Sequence, residues 1–321
     1  MKNNCFTLVC NAGRSGSSFL YYALRASAGR EFAVYHEMIP VQVSLPKEHN
    51  RAYTMERIEE VLADKRLREY LSRWEKQLET QSIVECGWTA CHLLPVLHYL
   101  FSDRLQVIVL HRDPAATACS RANMGNYHRR TFYDREHEVS PYDPRSIAPD
   151  FQRVWAKMNH LEKCLFWWYV VYMEAKEAER ILGAQVPFTW IGSAELFSGD
   201  AISKVESIIG LSISKSAVKS APHNVVSQSM RESFPVNKEI DSITNHELIW
   251  SFAETLGYSL PCQERIDSLK EKYTIPPGVG PRFRSAIGYW HLRESLKQLV
   301  LGSKTPLDRH AERTAAMEGK I

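Results

Sequence analysis

The chain has 321 residues, of which 44% are hydrophobic and 24% charged, with a formal net charge of +3. These proportions exclude a disordered or collagen-like chain. The near balance of charge does not suggest a general polyanion binder, and no nucleic-acid partner is expected, while one local cationic pocket fits. The longest uninterrupted apolar run, Cys164 to Met173, has ten residues, about half of what a membrane-spanning helix needs. The first residues, MKNNCFTLVC, lack the apolar stretch and cleavage site of a secretory signal. Seven cysteines are scattered without a C-x-x-C pair, and the twelve histidines show no ligand spacing, so no metal site is expected. The expectation is a cytoplasmic protein with reduced cysteines.

In chain order, Phe6–Cys10 reads as a short buried strand, followed by a Gly- and Ser-rich turn and a helix over about 17–28. Phe32–Tyr35 reads as a second strand. The helical recurrence of Ile58, Val61, Leu62, Leu71, Trp74 and Leu78 predicts one long helix over 54–78. Ile83–Cys86 reads as a third strand. Residues 90–101 read as a helix with Pro95 as an awkward interior residue. Leu105–His111 is the clearest buried strand, and Pro114 opens a further helix.

Residues 126–150 are rich in Tyr, Arg, His, Asp and Pro without a sustained period, and are read as a lid or an exposed excursion. A long helix is expected over 151–182. Its aromatic stretch at 166–172, FWWYVVY, is read as core, with an acceptor-lining aromatic as the alternative. A strand at 186–190, helices near 200–209 and 244–257, a Pro/Gly-rich segment at 274–290 and a helix to about Val300 complete the chain. The whole is read as one α/β domain over 1–301, with a polar tail at 302–321. Strand–helix alternation predicts a central parallel sheet with helices on both faces. Right-handed crossovers then bring the loops after the strands to one edge.

Two of those loops suit anion binding. The first, Gly13-Arg14-Ser15-Gly16-Ser17-Ser18, joins a strand to a helix; its backbone N–H groups, two hydroxyls and one guanidinium are the donors an anion needs. It is not G-x-x-x-x-G-K-[ST], because no Lys follows Gly16. An ordinary Ser-capped helix start is the plain alternative. The second loop begins at Arg112, one residue past the strand, with Ser120 two helical turns on. A phosphate grip by both, or a local pairing of Arg112 with Asp113, fits that spacing.

Together, Arg14-Ser15-Gly16-Ser17-Ser18-Phe19 and the Arg112/Ser120 pair resemble the cofactor signature of the sulfotransferases that use 3′-phosphoadenosine 5′-phosphosulfate. The form RSGSSFL is closest to the carbohydrate and tyrosyl branches. Glu85 to Leu93, Phe101-Ser102-Asp103 with HRDP, Ser193-Ala194-Glu195-Leu196, and Ser285 to Trp290 are similar to further family segments, although Cys86 stands where Lys is frequent. The resemblance implies a three-layer architecture like that of P-loop kinases. It also implies that Gly13, Arg14, Ser15, Gly16, Ser17, Ser18 and Phe19 hold the 5′-phosphosulfate, that Arg112 and Ser120 hold the 3′-phosphate, and that no metal is needed. The product would be adenosine 3′,5′-bisphosphate, and the acceptor a hydroxyl on a glycan, glycolipid or other small molecule.

Family bases fall just after the second strand, where this chain has His36-Glu37. Glu37 resembles the base, with His36 as the alternative; Arg14 is expected to stabilise the departing phosphate oxygen. HEMIP is not H-E-x-x-H, since residue 40 is Pro. The rival readings are a P-loop kinase or other nucleotide phosphotransferase, and a non-catalytic nucleotide-binding protein of the same fold. The chain starts its first strand at residue 6, so a member without anchor and stem, or a trimmed one, is expected.

Overall fold

The computed structural model of the protein describes residues 4–40, 43, 53–127, 138–143, 145–221 and 236–274. Five strands form one sheet: β1 Phe6–Cys10, β2 Phe32–Tyr35, β3 Ser82–Glu85, β4 Leu105–His111 and β5 Phe188–Gly192. The order is β2-β3-β1-β4-β5, and every pairing is parallel. The chain leaves β1 toward β2 on one side and leaves β4 toward β5 on the other. The switch point is therefore the crevice between the C-terminal ends of β1 and β4, where ligands bind in open parallel sheets.

Alternation along the strands splits the core in two. Phe6, Leu8, Cys10, Val107 and Val109 face one buried cluster; Val9, Val84, Ile108 and Leu110 face the other. On the second face, α1 Ser17–Ser27 supplies Phe19, Leu20 and Leu24. On the first face lie α2 Met55–Leu62, α3 Lys65–Gln77, α4 Leu94–Phe101, α5 Pro114–Asn123 and α6 His160–Leu182. Then follow α7 Ser193–Ser198, α8 Ile202–Ile209, α9 Lys215–Ser220, α10 Glu247–Glu254 and α11 Gln263–Lys272.

Several expected elements are cut differently. The helix expected over 54–78 is two, because the Asp64 side chain caps α3 by accepting from the N–H groups of Arg66 and Leu67. Pro95 is not interior: a 3-10 helix over Trp88–Leu93 precedes it and α4 starts at Leu94, so Pro95 lies in the first turn, where its missing N–H costs nothing. The helix expected from 151 begins instead at His160, after a single turn over Gln152–Trp155. Strand β5 runs two residues later than expected. The helix expected near 200–209 forms as α8, and the shorter α7 precedes it, separated from it by Gly199 in the left-handed region. The expected helix at 244–257 is a 3-10 turn, Ile240–Thr244, followed by α10. Helices α9 and α11 carry no sequence expectation. Residues 128–137 and 144 of the expected lid, the Pro/Gly-rich segment beyond Thr274, the helix to Val300 and the C-terminal tail lie outside the described residues.

The start of α6 is fixed by a capping box. Asn159 Oδ1 accepts from Glu162 N–H at 2.9 Å, and Glu162 Oε2 accepts from Asn159 N–H at 2.8 Å. Asn159 also donates to Ser242 Oγ at 2.8 Å. This sets the register of the helix that carries Trp167, Trp168 and Tyr172 under the crevice. Asn159→Ala is expected to cost about 1 kcal/mol of folding stability. Urea denaturation measures it, and a loss of a few tenths or less would mean that packing alone sets the register.

Candidate active site

The loop after β1 is built by its own polar atoms. Asn11 Oδ1 accepts from Gly13 N–H at 2.8 Å and Asn11 Nδ2 donates to the Val9 carbonyl, a side-chain turn that closes the backbone on itself. Gly13 and Gly16 take positive φ, as does Arg14 at +61°. Gly16 forms the N-cap of α1 in the left-handed conformation, and a Cβ there would lie 3.0 Å from Phe197 Cζ. The Ser-capped helix start considered from sequence is therefore not what forms. The hydroxyls of Ser17 and Ser18 lie instead 3.4 and 3.1 Å from His36 Nε2.

Beneath the loop, α6 presents polar atoms from an apolar helix. The Tyr172 hydroxyl accepts from Ala12 N–H at 3.3 Å, lies 3.1 Å from Ser15 Oγ and donates to the Leu110 carbonyl at 2.9 Å. Burial pushes its pKa up, so it stays a phenol. Trp167 donates its indole N–H to the Ala12 carbonyl at 2.9 Å, and Trp168 donates to the Arg112 carbonyl at 2.8 Å. Arg121 stacks 4.4 Å over Trp167 and also donates to the Ala12 carbonyl. Ser193 Oγ lies 2.6 Å from the Ser15 carbonyl and 2.9 Å from that of His111, so one hydroxyl hydrogen is shared between both loops. Cys91 Sγ accepts from Asn11 N–H at 3.3 Å, and burial raises that thiol's pKa well above its usual value.

The residues singled out in the two loops meet. Arg14 Nε donates to Ser120 Oγ at 3.0 Å, and Arg112 Nη1 donates to the Arg14 carbonyl at 2.9 Å. Asp113 caps α5 through Ala116 N–H at 2.6 Å, with Arg265 3.7 Å away. That acid is taken up by the helix while Arg112 reaches toward the first loop. The pKa of the Tyr273 phenol is pushed up chiefly by burial and drawn down by its neighbours Arg112, Ser120 and Arg14. Phe19 is buried against Phe197 at 5.2 Å, so its side chain is core. Ser15 is fully buried, holding the loop from inside.

His36 and Glu37 follow β2. His36 faces the first loop through Ser17 and Ser18. Glu37, at φ +57°, has its N–H held by Glu85 Oε1 at 2.8 Å. Arg121 and Tyr273 carried no expectation for the site, Trp167, Trp168 and Tyr172 only that of an acceptor-lining aromatic within 166–172, and Ser193 only its place in a family-like segment. The aromatic run was the one available signal, and it marked burial rather than polar reach. Among the described residues, no group of three or more His, Cys, Asp or Glu is placed to hold a metal ion. No helix among them is long and apolar enough to cross a membrane.

No protein-family model and no curated protein matches the chain. Solved structures resemble it at low identity. A sulfotransferase domain from the Synechococcus PCC 7002 olefin synthase is 14% identical, with a TM-score of 0.38, over 85% of this chain and 95% of that one. A sulfotransferase from Alicyclobacillus acidocaldarius is 13% identical, with a TM-score of 0.37, over 80% and 96%. A sulfotransferase domain from the curacin biosynthetic pathway is 12% identical, with a TM-score of 0.42, over 86% and 99%. The chain's own residues carry the functional reading.

His111 ends β4 immediately before Arg112. Its Nδ1 lies 2.8 Å from the Tyr258 hydroxyl, and burial, helped by Lys176, lowers its pKa to about 4. The unfolded chain then holds the extra proton between about pH 4 and the ordinary histidine value of about 6.5. His111 thus supports the fold fully above that window and progressively less as pH falls through it. In urea denaturation at pH 7.5, 6, 5 and 4.5, His111→Gln is expected to show a shallower acid loss than the parent chain. Parallel pH profiles would mean that His111 titrates normally.

Proposed function

We propose that the protein is a sulfotransferase that moves a sulfuryl group from 3′-phosphoadenosine 5′-phosphosulfate to a hydroxyl acceptor. The observation that carries this reading is the convergence of Arg14, Arg112 and Ser120 with the Gly13–Ser18 loop at the β1/β4 crevice, with His36 and Glu37 alongside. The residues fit a donor with two anionic ends. Arg112 and Ser120, with Tyr273 beside them, suit the 3′-phosphate. The left-handed glycines and the Ser17 and Ser18 hydroxyls suit the 5′ end.

When bound, the donor supplies an already activated sulfuryl group, and no Lewis acid is required of the protein. Glu37 accepts the proton of the acceptor hydroxyl as its oxygen attacks, a role worth about 10²–10⁴ in rate. Arg14, whose Nε bonds Ser120 in this structure, turns toward the loop in this reading, where a guanidinium favours the charge that develops on transfer. His36 is the alternative base, and its contact with Ser17 and Ser18 also suits a residue that orients the loop hydroxyls. The acceptor is a glycan or glycolipid hydroxyl, and the cytoplasm is the compartment in this reading. A nucleotide kinase is disfavoured by the missing Gly-Lys-[Ser/Thr].

Calorimetric titration with adenosine 3′,5′-bisphosphate and with ATP tests the donor class. Tight binding of the first and none of the second is expected; the reverse overturns the reading. Activity follows from transfer of ³⁵S-labelled sulfuryl to methyl galactoside, methyl N-acetylglucosaminide, galactosylceramide, p-nitrophenol and a tyrosine peptide. The two sugars or the glycolipid should outpace the phenols.

Arg112→Ala should weaken bisphosphate binding by about 1.5–3 kcal/mol, the size of a charge-assisted hydrogen bond, while adenosine 5′-monophosphate binding hardly changes. Because Arg112 also holds the Arg14 carbonyl, the monophosphate reports any loss through the loop. Equal losses for both nucleotides would make Arg112 a support of the fold.

Glu37→Gln should lower turnover by about 10²–10⁴-fold with bisphosphate affinity nearly intact. Full activity in that variant, with the loss appearing in His36→Gln, would transfer the base to His36.

A further inference from the structure

We infer that Glu85 is a positioning residue for Glu37: its buried carboxylate grips the turn after β2 and fixes the candidate base beside the donor loop. This rests on the sulfuryl-transfer reading above and adds a residue to it. Glu85 ends β3 and is fully buried, a costly place for a carboxylate unless donors surround it. Two backbone donors do. Oε1 accepts from Glu37 N–H at 2.8 Å, and Oε2 accepts from Met38 N–H at 3.3 Å. The adjoining ladder is closed by Cys86 N–H donating to the Tyr35 carbonyl at 2.9 Å, with Tyr35 and Glu85 paired in register.

Two further features make sense only with this grip. Glu37 adopts φ +57°, a left-handed conformation that an L residue with a long side chain rarely takes and that persists where its surroundings impose it. Gly87 has room for nothing larger. A Cβ there would lie 2.4 Å from Glu85 Oε1, 2.7 Å from Glu37 N and 2.8 Å from Glu37 Cα. The carboxylate, the bare glycine and the left-handed turn are one assembly. It orients residue 37 while residue 36 reaches Ser18 at 3.1 Å. With both oxygens committed to backbone N–H groups, Glu85 acts through Glu37. A base must be held within a fraction of an ångström of the proton that it removes, and a displacement of about 1 Å costs about 10²-fold.

The test is a double-mutant comparison in the full chain. It reads single-turnover transfer to the fastest acceptor of the panel above, together with bisphosphate affinity. Glu85→Gln keeps the shape but turns an N–H toward the Met38 N–H. Gly87→Ala keeps Glu85 and pushes the turn from the other side. Each is expected to slow transfer by about 10²-fold with the bisphosphate dissociation constant within about twofold, which also reports a folded site. In a Glu37→Gln background, neither should slow transfer further, because the residue through which they act is already disabled. A full additional loss in that background, or no loss in either single variant, overturns the assignment of Glu85 while leaving the sulfotransferase reading standing. A parent chain that binds no bisphosphate and sulfates none of the panel overturns both.

Discussion

The hydroxyl of Tyr172 is the point on which the segments around both candidate loops rest. It sits in an otherwise apolar helix and reaches Ala12, Ser15 and Leu110. The Ala12 N–H, the Leu110 carbonyl and the Ser15 hydroxyl are buried and would each cost free energy if left unpaired. One phenol ties the end of β1 to the end of β4, while Trp167 and Trp168 hold the carbonyls of Ala12 and Arg112 from the same helix. The sheet topology opens a crevice at that place. The aromatic helix then gives the two loops that flank it a fixed shape before any ligand arrives, which lowers the ordering cost of binding.

Of the four non-glycine residues at positive φ among the described residues, Arg14, Glu37, Ser102 and Tyr127, two lie where chemistry is proposed. Arg14 and Glu37 sit at φ +61° and +57°. Each is held by neighbours from distant sequence: Arg14 by Arg112 on its carbonyl and Ser120 on its side chain, Glu37 by Glu85 on its N–H. Non-glycine residues in the left-handed region cost roughly 1–3 kcal/mol each, so surrounding contacts must over-determine them. Ser193 adds to this by sharing a hydroxyl between Ser15 and His111, one residue from each of the two loops.

The sequence made the strands legible because buried parallel strands are short apolar runs bounded by turns, as in LQVIVLH. It pointed to the two loops through glycine, serine and arginine at strand ends, although a Ser-capped helix start and an Arg112–Asp113 pairing fit the same residues. The break between α2 and α3 was hidden: the apolar period of Ile58, Val61, Leu67 and Leu71 runs on across Asp64, and only its capping geometry ends one helix and starts the next. The polar role of FWWYVVY was equally hidden. Burial is written in such a run, but whether an indole N–H or a phenol finds a partner depends on which loop crosses it. Glu85 could be read as part of a motif and not as a clamp, because its partners come from the register of β2 against β3, which no local pattern encodes.

Cys91 illustrates what this tight seating does to ordinary side-chain chemistry. Its sulfur serves the loop as an acceptor for Asn11 N–H, and burial keeps its proton on. Thiolates, not thiols, react with oxidants and electrophiles. While the loop is seated, this cysteine is a spectator to redox conditions. Its reactivity belongs to the moments when the backbone around Asn11 lifts away, so oxidative damage at this site is governed by loop opening rather than by the sulfur itself.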